Sequence, residues 1–169
     1  KLMATGDATI TDLSPLRGMQ LDSLSLNRCT NLTDLTPLRG MPLRSLRLYQ
    51  CGVSDLRALQ GAPLEVLDLP ENVKLRELSP LQGMPLTDLQ MPRCAELRDV
   101  TPLQGLPLQN LALGDCKNLH DVTPLAGMKL IHLSLPPEVT KGIEGIRKMK
   151  MPDMANSLSR VTLFFKFTS

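Results

Sequence analysis

The chain of 169 residues repeats itself almost without interruption, and this periodicity constrains its fold more than any other feature. Each unit begins with an acidic residue, at spacings of 22, 21, 22, 22 and 22: Asp12, Asp34, Asp55, Glu77, Asp99 and Asp121. Leucine and glycine columns recur in phase with them. A fixed period of about 20 to 50 residues indicates a solenoid, whose coils bury their apolar sides against one another. The sequence therefore predicts six stacked repeats.

The second half of each unit predicts a short β-strand. In Leu24-x-Leu26 apolar and polar residues alternate, as they do in a strand with one buried face, and every later unit repeats the pattern. One short strand finds no partner within its own repeat, so it must pair with the same strand of the neighbouring coils. The result is a parallel sheet with strands about 4.8 Å apart.

The first half of each unit predicts a single helical turn. A step such as Thr36-Pro37 is typical of a helix start, with the hydroxyl residue as N-cap and proline at the first helical position. Gly40 follows three residues after the proline, which limits the element to one turn, of 3₁₀ type. The third unit has Arg57-Ala58 instead, and we expect a weaker cap there. Each coil thus has a single short turn on one side and a strand on the other. Stacking such coils predicts an arc with the sheet on its concave side.

The motif Leu-x-x-Leu-x-Leu-x-x-(Asn/Cys) runs through residues 10–151 and resembles the signature of leucine-rich repeats. The 22-residue period and the Asp-Leu-x-Pro-Leu back look like the internalin-type class. The Gly-Met-Pro-Leu joins at 40–43 and 83–86 are similar to arrays attached to bacterial protein kinases. The resemblance implies an α/β fold, a right-handed leucine-rich-repeat solenoid with a curved parallel sheet on the concave side and short 3₁₀ turns on the convex side.

The pattern divides the chain into three parts. Residues 1–11 are expected to be the remnant of a preceding repeat, because Leu2 and Ala4 lie one period before Leu24 and Leu26. Residues 12–152 carry the leucine-rich repeats, and residues 153–169 form a tail of different composition. The apolar, β-prone segment 161–167 would be an aggregation hazard if exposed, so the tail is expected to cap the last repeat. The alternative is a disordered extension or a segment that is not native.

Four cysteines raise the question of a metal site or disulfides. They occupy one phase of the repeat, and the third repeat has asparagine there: Cys29, Cys51, Asn72, Cys94 and Cys116. Zinc ligands converge on one point, whereas residues one coil apart form a row. We therefore interpret these five residues as a buried structural ladder. The acidic column has two readings, a calcium stripe or carboxylates that accept backbone N–H bonds in their own turns, and the second is favoured. No metal and no cofactor are expected.

With leucines and cysteines assigned to the interior, the outward strand positions are left for recognition, and they vary from coil to coil. The predicted partner-binding residues of the concave face are Arg47, Tyr49, Asp68, Glu71, Asp88, Gln90, Arg93, Asp115 and His132. Tyrosine and arginine are frequent at interface hot spots. The sequence thus predicts a non-enzymatic module that binds a protein or peptide, although a mixed-charge face also serves solubility alone.

Other classes of function find little support in the sequence. The net charge of +2 and an aromatic content of 2% give no footprint for nucleic acid, and no apolar run is long enough to insert into a membrane. One alternative is a fragment of a larger bacterial regulatory protein, such as a kinase tail, without autonomous function. A less favoured one is a hydrolase using His132, whose column-mate Asp88 lies two strands away, about 10 Å, too far for direct contact.

Overall fold

A computed structural model describes residues 1–5 and 10–149, in which seven parallel strands form one sheet. The strands are β1 (Leu2–Thr5), β2 (Ser23–Asn27), β3 (Ser45–Tyr49), β4 (Val66–Asp68), β5 (Asp88–Gln90), β6 (Asn110–Ala112) and β7 (His132–Ser134). Their order in the sheet is their order in the chain, so each strand pairs with the one before it and the one after it. This arrangement confirms the predicted solenoid of one-strand coils.

The register of the sheet keeps residues of equal phase side by side. Leu24 pairs with Leu46, and Leu46 pairs with Leu67, so the inward leucines form a row that crosses the sheet. At the N-terminal edge of the sheet, Leu2 of β1 pairs with Leu24 of β2, one repeat ahead. Every column read from the sequence is therefore a row of neighbours in space, and side chains of one column lie one strand spacing apart.

The side opposite the sheet is built from single 3₁₀ turns, namely Ser14–Leu16, Thr36–Leu38, Arg57–Leu59, Ser79–Leu81, Thr101–Leu103 and Thr123–Leu125. After β7 the chain forms one short helix, α1 (Ile143–Arg147). The expectation that the serine or threonine caps each turn is wrong, because that residue is the first of the turn and no cap side chain bonds to it.

The acidic residue two positions earlier supplies the missing acceptor. Asp34 Oδ1 accepts the backbone N–H of Thr36 at 2.8 Å, and the same bond recurs in most coils. The third coil is no exception, since Asp55 accepts the N–H of Arg57 at 2.9 Å, so the expected weaker cap there is also wrong.

The core is a continuous column of aliphatic side chains between the sheet and the turns. Leu46, Leu67 and Leu89 of three consecutive strands are all fully buried. Burial of one leucine stabilises the fold by roughly 1.5–3 kcal/mol before chain entropy is counted, so the repeated leucines supply most of the driving force. The predicted cap, residues 153–169, lies outside the described residues.

Candidate functional site

The solvent side of the sheet presents one strip of polar side chains, which we call the sheet face. It consists of the outward residues of β2 to β7 together with the residues that immediately follow the strand pattern in each coil. Arg47, Tyr49, Asp68, Asp88, Gln90 and His132 lie on strands, whereas Glu71, Arg93 and Asp115 lie just after them. The structure therefore places all nine residues predicted for binding along this one strip.

Four of these residues form a polar network that spans four consecutive coils. Tyr49 donates its hydroxyl to Glu71 Oε1 at 3.3 Å, and Arg93 Nη1 donates to the same oxygen at 2.9 Å. Arg93 Nε also reaches Asp115 Oδ2 at 3.5 Å. The hydrogen bond to Glu71, followed by the one to Asp115, raises the pKa of Arg93. Arg93 is thus held between two carboxylates, one on each neighbouring coil.

Two further carboxylates lie on β4 and β5. Arg47 Nε is 3.2 Å from Asp68 Oδ2, across the β3–β4 pair. Asp88 Oδ1 accepts from Asn110 Nδ2 at 2.6 Å, and its other oxygen accepts from the Thr87 hydroxyl at 3.2 Å. The Asp68 carboxylate is therefore paired with a cation, whereas Asp88 is held by neutral donors.

The surroundings of Asp68 disfavour the charged form of its carboxyl group. Its side chain is only 27% exposed, whereas that of Arg47 is 55% exposed. Burial raises the pKa of the Asp68 carboxyl above its ordinary value; Arg47 lowers that pKa, and the nearby Asp88 raises it. Burial and a like charge together thus outweigh the effect of the ion pair on this pKa, so a further cation beside Asp68 would favour its charged form.

In the first five coils, the residue that ends the strand pattern has a left-handed backbone. These residues, which we call the left-handed row, have φ between +52° and +62°: Arg28, Gln50, Glu71, Arg93 and Asp115. Left-handed backbone places Cβ close to the following carbonyl oxygen and costs roughly 1–2 kcal/mol for a residue with a side chain. The row therefore carries charged or polar side chains where glycine would be the unstrained choice.

Beneath the sheet face lie the residues of the predicted ladder. Cys116 and Cys94 direct their thiols at backbone oxygens of the preceding coil, with Sγ 3.1 Å from Met91 O and 3.4 Å from Leu69 O. All four cysteines are buried and none is in a disulfide. Burial raises the pKa of Cys94 to about 12 and the pKa of Cys51 to about 11. Buried thiols with such values are poor nucleophiles and poor metal ligands.

Asn72 differs from the cysteines because the coil before it is one residue short. The stretch Gly52-Val53-Ser54 lies between the ladder residue and the acidic residue, where other coils have four residues. In a full coil the loop leucine donates its N–H to the ladder residue of its own coil, as Leu75 does to Asn72 O at 3.0 Å. Val53 lies only two residues after Cys51 and donates instead to Asn72 Oδ1 at 3.2 Å.

The short coil leaves a recess beside the sheet face. Its lining includes Gly52, Glu71 and Val73, and the Val73 side chain is 49% exposed. A Cβ on Gly52 would lie 2.5 Å from the backbone oxygen of Thr30, so the two coils touch through backbone here. The recess therefore follows from the shortened loop and adjoins the network through Glu71.

Two of the nine predicted residues, His132 and Gln90, take no part in the ion pairs and hydrogen bonds described above. His132 is exposed on β7, and in the register Asn110 lies between it and Asp88. Gln90 lies opposite Asp68 in the register of β4 and β5. Asn110, which holds Asp88, is absent from the predicted set, although it occupies the same column one strand further on. That shared column was the signal that pointed to it.

Among residues 1–5 and 10–149, no group of three or more histidine, cysteine or acidic side chains is placed to hold a metal ion. No helix in the same part of the chain is long and apolar enough to cross a membrane. Neither a scan against protein-family models nor a search of curated proteins gives a match for this chain. The repeat solenoid and its sheet face are therefore the basis for a functional proposal.

Proposed function

We propose that the chain is a non-enzymatic leucine-rich-repeat module, of the internalin-like 22-residue class, that binds a protein or peptide with its sheet face. The repeat motif and the one-strand coils support the class. The core is monotonous and the sheet face varies from coil to coil, which is the distribution expected of a scaffold that displays contact residues. Catalysis is not part of the proposal, because His132 has Asn110 rather than an acidic residue beside it in the register.

The left-handed row is the observation that carries this proposal. Each of its five side chains costs roughly 1–2 kcal/mol relative to glycine. Three of them, Glu71, Arg93 and Asp115, form ion pairs that are solvent-accessible, and such pairs contribute only about 0–1 kcal/mol each. The pairs therefore do not offset the strain, so the fold alone does not explain why charged residues occupy the row. Binding explains it, because local strain that packing does not repay is typical of functional positions.

A charge swap within an existing ion pair tests the proposal without removing the pair. The double variant Arg47→Glu, Asp68→Arg keeps opposite charges on β3 and β4 but reverses what the sheet face presents. Native protein and variant are immobilised, and the proteins that each retains from a lysate of the source organism are compared by quantitative mass spectrometry. We expect at least one protein to be retained by the native chain and depleted at least ten-fold by the swap.

A second swap provides the matched control. Arg76 and Glu96 form an ion pair between two loops away from the sheet face. The variant Arg76→Glu, Glu96→Arg makes the same change of charge pattern there, and we expect it to retain the same proteins as the native chain. Thermal melting confirms that both variants are folded. If the native chain retains nothing that the first swap loses, or if both swaps lose the same proteins, the sheet face is not the binding surface.

A further inference from the structure

The charge of the sheet face is opposite in sign to the charge of the whole chain. The sheet face holds four carboxylates against three arginines, whereas the chain as a whole has a net charge of +2. The carboxylates lie on β4 and β5 and just after β4 and β6: Asp68, Glu71, Asp88 and Asp115. The middle of the sheet face is thus acidic on a chain that is otherwise slightly basic.

The ion pairs show where positive charge is missing. Arg47 forms an ion pair with Asp68, and Arg93 forms ion pairs with both Glu71 and Asp115. Within the part of the chain that the structure describes, Asp88 has no cationic side chain within 4 Å. The two arginines on the coils around it, Arg47 and Arg93, are already paired with other carboxylates.

We propose that the sheet face binds an extended segment of a partner protein that carries a lysine or arginine, and that this side chain lies between Asp68 and Asp88. The inference rests on the proposed function and specifies the chemistry of the partner. A cation there would be near one half-buried carboxylate and one carboxylate held only by neutral groups. Arginine or lysine also brings several N–H donors, and the carboxylate oxygens can accept more than the bonds they now have.

The opposite assignment, an acidic segment on the arginines, is less favourable. Arg93 is already engaged by two carboxylates, and Arg47 by one, so an incoming carboxylate would compete with bonds that exist. It would also approach the Asp68 and Asp88 charges, and like charges that face each other across an interface cost several kcal/mol. Complementarity of charge thus selects the basic segment.

Two labelled peptides test the inference directly. Fluorescein-labelled (Gly-Lys)₄ and (Gly-Glu)₄ are titrated with the protein at low salt, and fluorescence anisotropy gives the two dissociation constants. Unspecific attraction to a chain of charge +2 favours the glutamate peptide, so tighter binding of the lysine peptide requires a local acidic site. We expect the lysine peptide to bind at least ten-fold more tightly than the glutamate peptide.

Isosteric variants then locate the site. Asp68→Asn with Asp88→Asn is expected to weaken binding of the lysine peptide at least ten-fold. The control Glu77→Gln with Glu144→Gln removes the same charge from exposed positions on the opposite side, and we expect a change below two-fold. Should the double variant fail to melt cooperatively, Asp88→Asn alone takes its place, since its neighbours Asn110 and Thr87 bond equally well to an amide.

The results separate this inference from the proposed function. Tighter binding of the glutamate peptide, equal binding of both, or equal losses in the test and control variants would overturn the basic-segment assignment. If, in addition, the Arg47–Asp68 swap still abolishes retention of a partner, the sheet face remains the binding surface and only its assigned partner chemistry is wrong.

Discussion

Replacing Asn72 by cysteine restores the residue of the other ladder positions, and the structure predicts that this change destabilises the protein. The side-chain amide of Asn72 both accepts and donates hydrogen bonds. Its Oδ1 accepts the buried N–H of Val53 at 3.2 Å, and its Nδ2 donates to Leu48 O at 2.7 Å. A thiol can replace the donor, as Cys116 does toward Met91 O at 3.1 Å. It is a weak acceptor, so the N–H of Val53 loses its partner.

The size of the effect follows from the backbone N–H of Val53, which loses its hydrogen-bond acceptor. A buried N–H left without a partner costs about 1–3 kcal/mol. The thiol replaces the amide as donor to the backbone oxygen of Leu48, so that bond contributes little to the difference in stability. We therefore expect Asn72→Cys to lower the free energy of unfolding by about 1–3 kcal/mol. Urea denaturation followed by circular dichroism measures this as a lower midpoint at unchanged slope.

A second variant isolates the cause. Insertion of one asparagine after Gly52 gives the second coil the same loop length as its neighbours, so that Val53 can donate its N–H to Cys51 O, as Leu75 does to Asn72 O. In that background we expect Asn72→Cys to cost less than about 0.5 kcal/mol, and the difference between the two backgrounds is the coupling energy. The reasoning would be refuted by an equal cost in both backgrounds, or by no cost in the native loop.

Three further predictions concern the packing, the acidic column and the cysteines. Gly52→Ala should lower the melting temperature by several degrees because its Cβ would lie 2.5 Å from Thr30 O, whereas Gly114→Ala, which meets only the Ser134 hydroxyl at 3.2 Å, should change it little. Hydrogen bonds from Thr36 lower the pKa of Asp34 below 3.8, so its contribution is present above that pH and is lost as pH falls through the folded-state pKa. The stability of Asp34→Asn should therefore vary less below pH 4 than that of the native chain, and an equally steep acid transition in both would count against the bond. At pH 8 Ellman's reagent should leave all four buried thiols unmodified until the chain is unfolded, whereas fast labelling of the native protein would contradict the ladder.

Much of the fold could be predicted because a solenoid converts sequence period into spatial position. Once Leu24 and Leu46 occupy the same phase, their pairing in the sheet follows, and the structure has this register. The capping of the 3₁₀ turns was less predictable. A hydroxyl residue before a proline is typical of an N-cap, but a three-residue turn begins at that residue, and Asp34 reaches its N–H from two positions earlier. Whether the hydroxyl residue is the N-cap or the first residue of the turn depends on the length of the turn. The residue types alone do not reveal that length.

The candidate site was predictable as a set of columns but not as a set of contacts. That Asp88 and Asn110 lie side by side follows from phase alone. Which of several nearby carboxylates an arginine selects depends on rotamers and backbone direction, and Arg93 uses its length and its left-handed backbone to reach both adjacent coils. The coupling between Asn72 and the short second coil also required coordinates, because the two irregularities are 18 residues or more apart in sequence.

Positive φ occurs at two positions of each of the first five coils, and the chain fills them differently. On the turn side, φ of +73° to +81° is taken by glycine in all six coils, although a Cβ would meet nothing within 4 Å there. Backbone strain alone therefore accounts for those glycines. On the sheet side, φ of +52° to +62° is never taken by glycine in the left-handed row. If stability alone governed both positions, both would be glycine, because the steric penalty of a Cβ is similar. On the proposed function, the side chains of the left-handed row are retained for what they bind on the sheet face, because the ion pairs formed within the chain contribute too little to offset the strain.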